Sequence, residues 1–274
     1  MIGRMRAAKT RRESALDAKT RMRVDWEERA RRNAFHYIAS WKEQWESSDF
    51  LRSGEEDYLR LVAPMLKACG AEQPSDLVLE LGCGAGRMTG SFARRHKRVI
   101  AVDLSAEMLR RAIALHPSPD NILWLRASGE DLAFLKDGAV SFVFSYLVLQ
   151  HLPNERLVSN YVTEMLRVLR PGGIFLFQFN GSSQPTMNWR GRAIWGAIDL
   201  LWSGGMPWLG RSLAALFGMD SAAAGRTWRG AAVSAPKIIS LVQSVGGEVR
   251  LSTGEETPMA WCCGIKKTGP ASVC

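Results

Sequence analysis

Hydrophobic residues follow two different spacings along most of the chain. Five short apolar runs are typical of strands buried on both faces. They occupy residues 77–81, 98–102, 122–126, 140–146 and 174–179. Between them, apolar residues recur every three or four positions, which predicts helices up to His96 and over 105–115 and 154–169. This alternation predicts an α/β fold with a doubly wound, mostly parallel sheet.

The C-terminal region adds the last two of seven predicted strands. A helix is predicted over 235–245, followed by strands over 248–254 and 258–267. Because only a few residues connect these two strands, we expect them to pair antiparallel.

Two regions lie outside the alternation. Within residues 25–70, apolar residues at helical spacing predict one helix, and "SGEE" (53–56) predicts the start of a second, bent at Pro64. Residues 181–231, called here the cap segment, are rich in Gly, Trp and Leu. We expect the helices of residues 25–70 to cover a ligand site, and residues 71–274 to form one domain in which the cap segment is a helical insertion covering a second ligand pocket.

Positive charge is concentrated at the N-terminus. Residues 1–32 carry eleven basic and five acidic residues, which accounts for six of the nine net positive charges. We expect residues 1–24 to be a flexible, solvated basic arm whose removal leaves folding and ligand binding intact. Contact with nucleic acid or an anionic membrane is the alternative.

Composition narrows the class of protein. Hydrophobic residues make up 46% of the 274 residues, which is enough for a full core, and no apolar run has the length of a membrane span. The N-terminus lacks the apolar stretch of a secretory signal. The five cysteines have neither zinc-site nor disulfide-framework spacing, so we expect no metal site and a cytoplasmic location.

The segment "LELGCGAGRMT" (79–89) carries the first chemical signal. Gly82, Gly84 and Gly86 follow the first strand, where glycines let a ligand approach the backbone. The dinucleotide fingerprint requires a further glycine at the position of Arg87. Asp103 ends the second strand, where a carboxylate can accept hydrogen bonds from ribose hydroxyls. Both NAD and S-adenosylmethionine contain that ribose.

Four segments together carry a family resemblance: "VLELGCGAGRMT", "VIAVDLSAEML", "SYLVLQHLPN" and "EMLRVLRPGGIFLF". They resemble the class I S-adenosylmethionine-dependent methyltransferases of the small-molecule branch, over about residues 50–180 and the terminal strand pair. The resemblance implies a Rossmann-like fold, S-adenosylmethionine as cofactor, and methyl transfer to a small, apolar or aromatic acceptor. A donor-binding protein without turnover and a membrane-associated lipid or quinone methyltransferase are the alternatives.

The resemblance also implies roles for residues that would hold the donor. Glu80 would bind its ammonium group, with Gly82, Cys83 and Gly84 beneath the amino-acid portion. Asp103 would accept the ribose hydroxyls.

Further donor contacts are implied around the adenine and the methyl group. Leu104 and Met108 would enclose the adenine, and Ser128 and Gly129 would contact it where the family often has Asp. Ser145 would lie beside the transferable methyl.

Two residues are implied on the catalytic side. Tyr146 would lie next to the methyl group, and His151 is the candidate general base, since an imidazole titrates near neutral pH. A structural role at the start of the following helix is the alternative for His151. The Asp/Asn-Pro-Pro-aromatic motif of nucleic-acid amino methylation is missing after the fourth strand, which disfavours nucleic acid as substrate.

Overall fold

A seven-stranded sheet forms the centre of the molecule. The computed structural model describes residues 2–70, 75–117, 120–182, 189–203, 206–218 and 226–268. Its strands lie in the order β3-β2-β1-β4-β5-β7-β6. Their bounds are β1 Val78–Leu81, β2 Val99–Asp103, β3 Ile122–Arg126, β4 Val140–Ser145, β5 Leu169–Phe179, β6 Gly247–Thr253 and β7 Ala260–Lys266.

The pairing of the strands agrees with the predicted fold class. The pairs among β1 to β5 are parallel, and β7 runs antiparallel to both β5 and β6. Strand order reverses at β1, whose neighbours are β2 and β4. In such sheets ligands bind beyond the carboxyl ends of the strands at this reversal.

The helices cover both faces of the sheet. They are α1 Ile2–Ile38, α2 Ser47–Asp57, α3 Ala63–Ala68, α4 Thr89–Ala93, α5 Ala106–Leu115, α6 Glu155–Val168, α7 Trp189–Ser203, α8 Pro207–Leu216, α9 Arg226–Arg229 and α10 Ala235–Ser244. The central strands are mostly apolar because neither face meets solvent; all residues of β1 and β4 are buried.

Two elements differ in extent from the prediction. The helix after the glycine loop ends at Ala93 rather than His96, and β5 begins at Leu169 rather than at residue 174. Val140 pairs with Leu169 and Phe142 with Ile174, so the intervening residues of β5 bulge out of register. The Pro-Gly-Gly sequence of residues 171–173 lies in this bulge.

The basic arm is the main departure from the predicted organisation. The structure has helix from Ile2, with a break at Asn33, where residues 1–24 are expected to be flexible. Arg, Lys, Ala and Met all favour helix, and Met22 is buried with 4% of its surface exposed. The prediction is therefore wrong for the end of the arm, since Met22 packs in the same core cluster as the sheet residues Leu79 and Val102.

The second N-terminal helix begins at Ser47, six residues before the predicted capping box. Its bend lies where Pro64 predicts it, as a π-helical turn over Tyr58–Val62 that separates α2 from α3. Pro64 has no N–H to continue the α-helical bonding, so the turn before it is free to widen.

The described residues of the cap segment are mainly helical, as expected. Within its described residues, α7 and α8 pack around Ile198 and Ala214, and Arg211 forms an ion pair of 2.5 Å with Glu28 of α1. None of the helices in the described ranges is long and apolar enough to cross a membrane.

Gly54 shows how closely α2 packs on the glycine loop. A Cβ atom at this position would lie 1.9 Å from the carbonyl oxygen of Arg87, a backbone atom that cannot easily move. We predict that Gly54→Ala lowers the free energy of unfolding by about 3 kcal/mol through overpacking. Gly196→Ala in α7 is the control, because no atom lies within 4 Å of its added Cβ. Urea unfolding measures both, and equal stabilities would contradict this packing.

Candidate functional site

The glycine loop lies between β1 and α4, at the carboxyl edge of the sheet. Gly82, Gly84 and Gly86 all have positive φ, at 77°, 56° and 80°, a region that other residues rarely adopt. The backbone N–H groups of Gly82 and Cys83 both donate to the carbonyl of Val102. The loop is therefore a tight turn attached to the neighbouring strand β2.

Asp103 connects the loop to the end of β2. Its carboxylate accepts hydrogen bonds from the backbone N–H of Gly84 at 2.9 Å and of Ser105 at 2.8 Å. Burial raises the pKa of Asp103 to about 6. A carboxylate has about four acceptor positions, so two remain for hydroxyl groups of a ligand.

Glu80 is buried at the end of β1. Thr89 donates a hydrogen bond of 2.5 Å to its carboxylate, and burial raises the pKa of Glu80 to about 8. One hydroxyl donor does not offset the free energy that it costs to remove a carboxylate from water. A bound cation would favour the ionised form of Glu80.

These residues line a cavity with about 970 Å³ of empty space, part of it open to solvent. The cavity brings together ten of the predicted site residues: Glu80, Gly82, Cys83, Gly84, Asp103, Leu104, Met108, Gly129, Tyr146 and His151.

Ser128 and Ser145 do not line this cavity. Ser128 is exposed and its hydroxyl binds Asp131 and the turn that follows. Ser145 is fully buried, and its hydroxyl donates to the carbonyl of Leu81 at 3.1 Å. Both hydroxyls stabilise local backbone instead of facing a ligand, which the sequence pattern cannot distinguish.

Helix α1 supplies the other side of the cavity. Met22, Trp26, Tyr37 and Ile38 line it, and Lys19 forms an ion pair of 2.9 Å with Glu130. The helical spacing of Trp26, Tyr37 and Ile38 indicates a buried face. For Met22, however, the sequence carries no signal beyond its helix propensity.

A second cavity of about 1030 Å³, partly open to solvent, adjoins the first. Tyr37, Ile38, Tyr146, Leu147 and His151 belong to both. The remaining lining residues of the second cavity are Ser40, Trp41, Asp57, Arg60, Gln150, Trp228 and Met259. Of the described residues in the cap segment, only Trp228 is among them, so the N-terminal helices form more of this wall than expected.

Leu147 adopts a strained conformation where the two cavities meet. It is the one non-glycine residue with positive φ in the described ranges, at 59°. Its N–H donates to the buried side chain of Gln178 at 3.1 Å. Such strain is common at ligand sites, where surrounding contacts fix it.

Both ring nitrogens of His151 form hydrogen bonds. Its Nδ1 bonds to the carbonyl oxygen of Trp228, and its Nε2 lies 3.1 Å from the amide nitrogen of Gln150. Burial lowers the pKa of His151 to about 4. The neutral imidazole therefore donates through Nδ1 and accepts through Nε2.

A buried arginine fixes Trp228 beside His151. Arg29 is 1% exposed, and its guanidinium donates to the carbonyl and hydroxyl oxygens of Thr227 at 3.3 and 3.2 Å. The guanidinium also lies 4.8 Å from the ring of Trp26 and 5.3 Å from that of Trp228. This contact joins α1 to the end of the cap segment, and no pattern in the sequence predicts it.

Comparison with known proteins adds to this geometry. Residues 79–177 match the family model described as a methyltransferase domain. The match covers β1 to β5 with the glycine loop, Asp103 and His151. Residues 79–177 therefore form a methyltransferase domain, which confirms the predicted resemblance to the class I S-adenosylmethionine-dependent enzymes.

Individual relatives match parts of this chain. Trans-aconitate 2-methyltransferase of Azoarcus sp. (strain BH72) is 33% identical over 137 residues, 49% of this chain and 50% of that protein. Malonyl-[acyl-carrier protein] O-methyltransferase of Serratia marcescens is 34% identical over 121 residues, 43% of this chain and 44% of that protein. The chain thus spans about half the length of the curated relatives it matches.

Among solved structures, a SAM dependent methyltransferase from Aquifex aeolicus is similar to this chain. It is 15% identical, with a TM-score of 0.48, over 81% of this chain and all of that one.

The donor site of the methyltransferase domain fits S-adenosylmethionine. A Cβ on Gly82 would lie 2.1 Å from Val148, so the loop keeps its close approach only with glycine. The poorly compensated Glu80 suits the donor's ammonium group, and the free acceptor positions of Asp103 suit its ribose.

Burial of Glu80 generates a pH prediction. Its pKa rises from 4.5 to about 8 on folding, so the folded protein binds more protons than the unfolded chain between these values. The free energy of unfolding should therefore fall as pH rises through this window, by more than about 2 kcal/mol. Glu80→Gln should reduce the dependence of the free energy of unfolding on pH. Glu248→Gln, at a side chain that is 49% exposed, should leave that dependence unchanged. Urea unfolding from pH 5 to 8 tests this, and parallel curves for the wild type and Glu80→Gln would contradict it.

The position of Met22 changes the expected effect of truncation. Met22 lies 3.5 Å from the Cβ position of Gly129, on the wall of the donor cavity. Deleting residues 1–24, or the single change Met22→Ala, should raise the dissociation constant for S-adenosylhomocysteine about tenfold, since part of a buried methionine contact is lost. Val24→Ala, at a position that is 54% exposed on the same helix, is the control. Calorimetry with S-adenosylhomocysteine measures the truncated protein and both single variants. Unchanged affinity after truncation would show that the arm is dispensable for donor binding.

Proposed function

We propose that this protein transfers the methyl group of S-adenosylmethionine to a small-molecule acceptor. The observation that carries the proposal is the pair of adjoining cavities. One is lined by the glycine loop, Glu80 and Asp103, and the other meets it at Tyr146 and His151. Two ligands can therefore lie side by side at the carboxyl edge of the sheet.

The main contribution of the protein to methyl transfer is to align the donor with the acceptor. S-adenosylmethionine supplies a methyl group already activated on a sulfonium. Glu80 and Asp103 fix the two ends of the donor, and Leu104 and Met108 provide the apolar surface for its adenine. The side chains of α1 close the cavity and exclude water, which favours an in-line approach of the acceptor.

We further propose that His151 orients the acceptor and does not remove its proton. The pKa of about 4 makes the imidazole a weak base at neutral pH. Its bonds to Trp228 and Gln150 occupy both ring nitrogens and keep the imidazole neutral and fixed, so that its ring can form a rigid wall for the acceptor. Tyr146, whose pKa burial raises, stays protonated and can donate a hydrogen bond to the acceptor.

The acceptor is proposed to be small and partly aromatic or apolar. Tyr37, Trp41 and Trp228 provide apolar surface in the second cavity. The names of the relatives, which include trans-aconitate and malonyl acyl-carrier-protein methyltransferases, support an acceptor other than nucleic acid. The free cysteines Cys69, Cys83, Cys262 and Cys263 support a cytoplasmic location.

Binding and turnover with the intact protein test the proposed function. Calorimetry should show micromolar binding of S-adenosylhomocysteine and no binding of NAD, because Arg87 replaces the third dinucleotide glycine. Isotope-labelled S-adenosylmethionine, incubated with metabolite extracts, should then yield a labelled small molecule. NAD binding without donor binding would refute the proposal. Donor binding without transfer to any acceptor would favour a binding protein.

Removal of the Asp103 carboxylate should weaken donor binding strongly. Hydrogen bonds to a charged group contribute roughly 1.5–3 kcal/mol, so Asp103→Ala should raise the dissociation constant for S-adenosylhomocysteine roughly ten- to hundredfold. Asp137→Ala, at a side chain that is 80% exposed, is the control. Circular dichroism checks folding, and an unchanged constant in a folded variant would exclude Asp103 from the site.

The His151→Gln variant distinguishes orientation from base catalysis. Glutamine keeps a hydrogen-bonding side chain but is no base, and loss of a general base costs roughly 100- to 10,000-fold in rate. We expect kcat to fall less than about 30-fold at saturating donor, with an unchanged affinity for S-adenosylhomocysteine. A loss of 1000-fold or more would identify His151 as the base.

A further inference from the structure

The second cavity has a charged wall that the methyl-transfer fold does not require. Asp57, at the end of α2, forms an ion pair of 2.6 Å with Arg60 and one of 2.8 Å with Arg87. Arg60 and Asp57 line the second cavity, and Arg87 lines the donor cavity beside it. Two guanidinium groups therefore share one carboxylate where the two cavities meet.

The balance of charge at this wall is positive. Asp57 is buried and bonded to both arginines, so its charge is already compensated. Asp57 and Arg60 are the charged residues that line the second cavity among those described. His151 adds no charge because burial keeps its imidazole neutral at pH 7. One net positive charge is left for a ligand.

The two arginines differ in how far they can move. Arg87 has 3% of its side chain exposed and lies 5.3 Å from the ring of Trp41 and 5.8 Å from that of Tyr146, so its guanidinium is fixed between aromatic groups. Arg60 has 70% of its side chain exposed and binds Asp57 through Nη2 in the described structure. Its remaining donors can turn toward the cavity, where the planar fork of a guanidinium matches a carboxylate.

Tyr146 lies between this charged wall and the donor cavity. It lines both cavities, and its ring stacks on Trp261 with centroids 5.1 Å apart. Its hydroxyl interacts electrostatically with Asp57, Arg87 and Arg60. The phenol can therefore donate to an oxygen that also faces the arginines.

We infer that Arg60, Arg87 and Tyr146 form a subsite for the carboxylate of the methyl acceptor, which is a small planar carboxylic acid. A single net positive charge suits a monoanion, and Tyr37, Trp41 and Trp228 offer aromatic surface to its planar body. The inference rests on the proposed function, because it assigns the second cavity to the acceptor. It adds that the acceptor is recognised through its charge.

Matched acids and amides test the inference on the full-length protein. Calorimetry in the presence of saturating S-adenosylhomocysteine compares benzoate with benzamide and trans-cinnamate with cinnamamide, which share shape and differ in charge. We expect each acid to bind about tenfold more tightly than its amide. Arg60→Met should reduce this preference to about twofold or less, with unchanged affinity for S-adenosylhomocysteine.

Arg52→Met is the control for the loss of an exposed arginine. Arg52 pairs with Asp49 at 2.6 Å, three residues earlier on α2, and has 68% of its side chain exposed. Arg60 has the same pairing geometry and a similar exposure, but only Arg60 lines the cavity. The preference for acids should persist in Arg52→Met.

The outcomes separate this inference from the proposed function. Failure of S-adenosylhomocysteine to bind refutes the proposed function. If S-adenosylhomocysteine binds, equal affinity for acids and amides refutes the carboxylate subsite, as does an absence of binding by every acid. Retention of the acid preference in Arg60→Met also refutes it.

Discussion

The burial of two carboxylates at the carboxyl edge of the sheet is the constraint on which the site depends. Glu80 is the penultimate residue of β1 and Asp103 is the last residue of β2, and burial raises the pKa of both. Desolvating these groups is unfavourable, so each needs donors close by. For Asp103 the donors are the N–H groups of Gly84 and Ser105, and this requirement fixes the glycine loop against β2. Glu80 has one hydroxyl donor in the described structure, which makes a cationic ligand its natural partner.

A second buried charge organises the other side of the site. Arg87 follows the glycine loop, and its ion pair with Asp57 ties the loop to the end of α2. Buried ion pairs often contribute little net stability, because desolvation offsets their attraction. Their geometry is nevertheless restrictive, and here it brings a pair of arginines and Tyr146 to the point where the two cavities meet. The Asp57–Arg87 ion pair thus connects the packing of the N-terminal helices to the wall of the second cavity.

Helix α1 and the end of the cap segment act together. Arg29 packs against Trp26 and Trp228 and bonds to Thr227, while Trp228 accepts a hydrogen bond from His151. Helix α1 and the end of the cap segment both lie outside the alternating strands and helices, and together they position His151, which lies within them. Variation in these regions is a physical route by which a common donor-binding sheet can serve different acceptors.

Local pattern was enough to predict the sheet and the position of the glycine loop. Apolar runs and glycine spacing predicted the α/β fold class, the loop and Asp103 at the end of β2, because these features depend on neighbours in sequence, whereas the role of Glu80 follows from the family resemblance. Whether a hydroxyl faces a ligand is different: Ser128 and Ser145 bond to nearby backbone or turn groups instead. The covering role of Met22, the Arg29 contacts and the Asp57–Arg87 pair join residues 30 to about 200 positions apart. Only the tertiary structure decided these, because the free energy of such contacts depends on which distant groups are buried together.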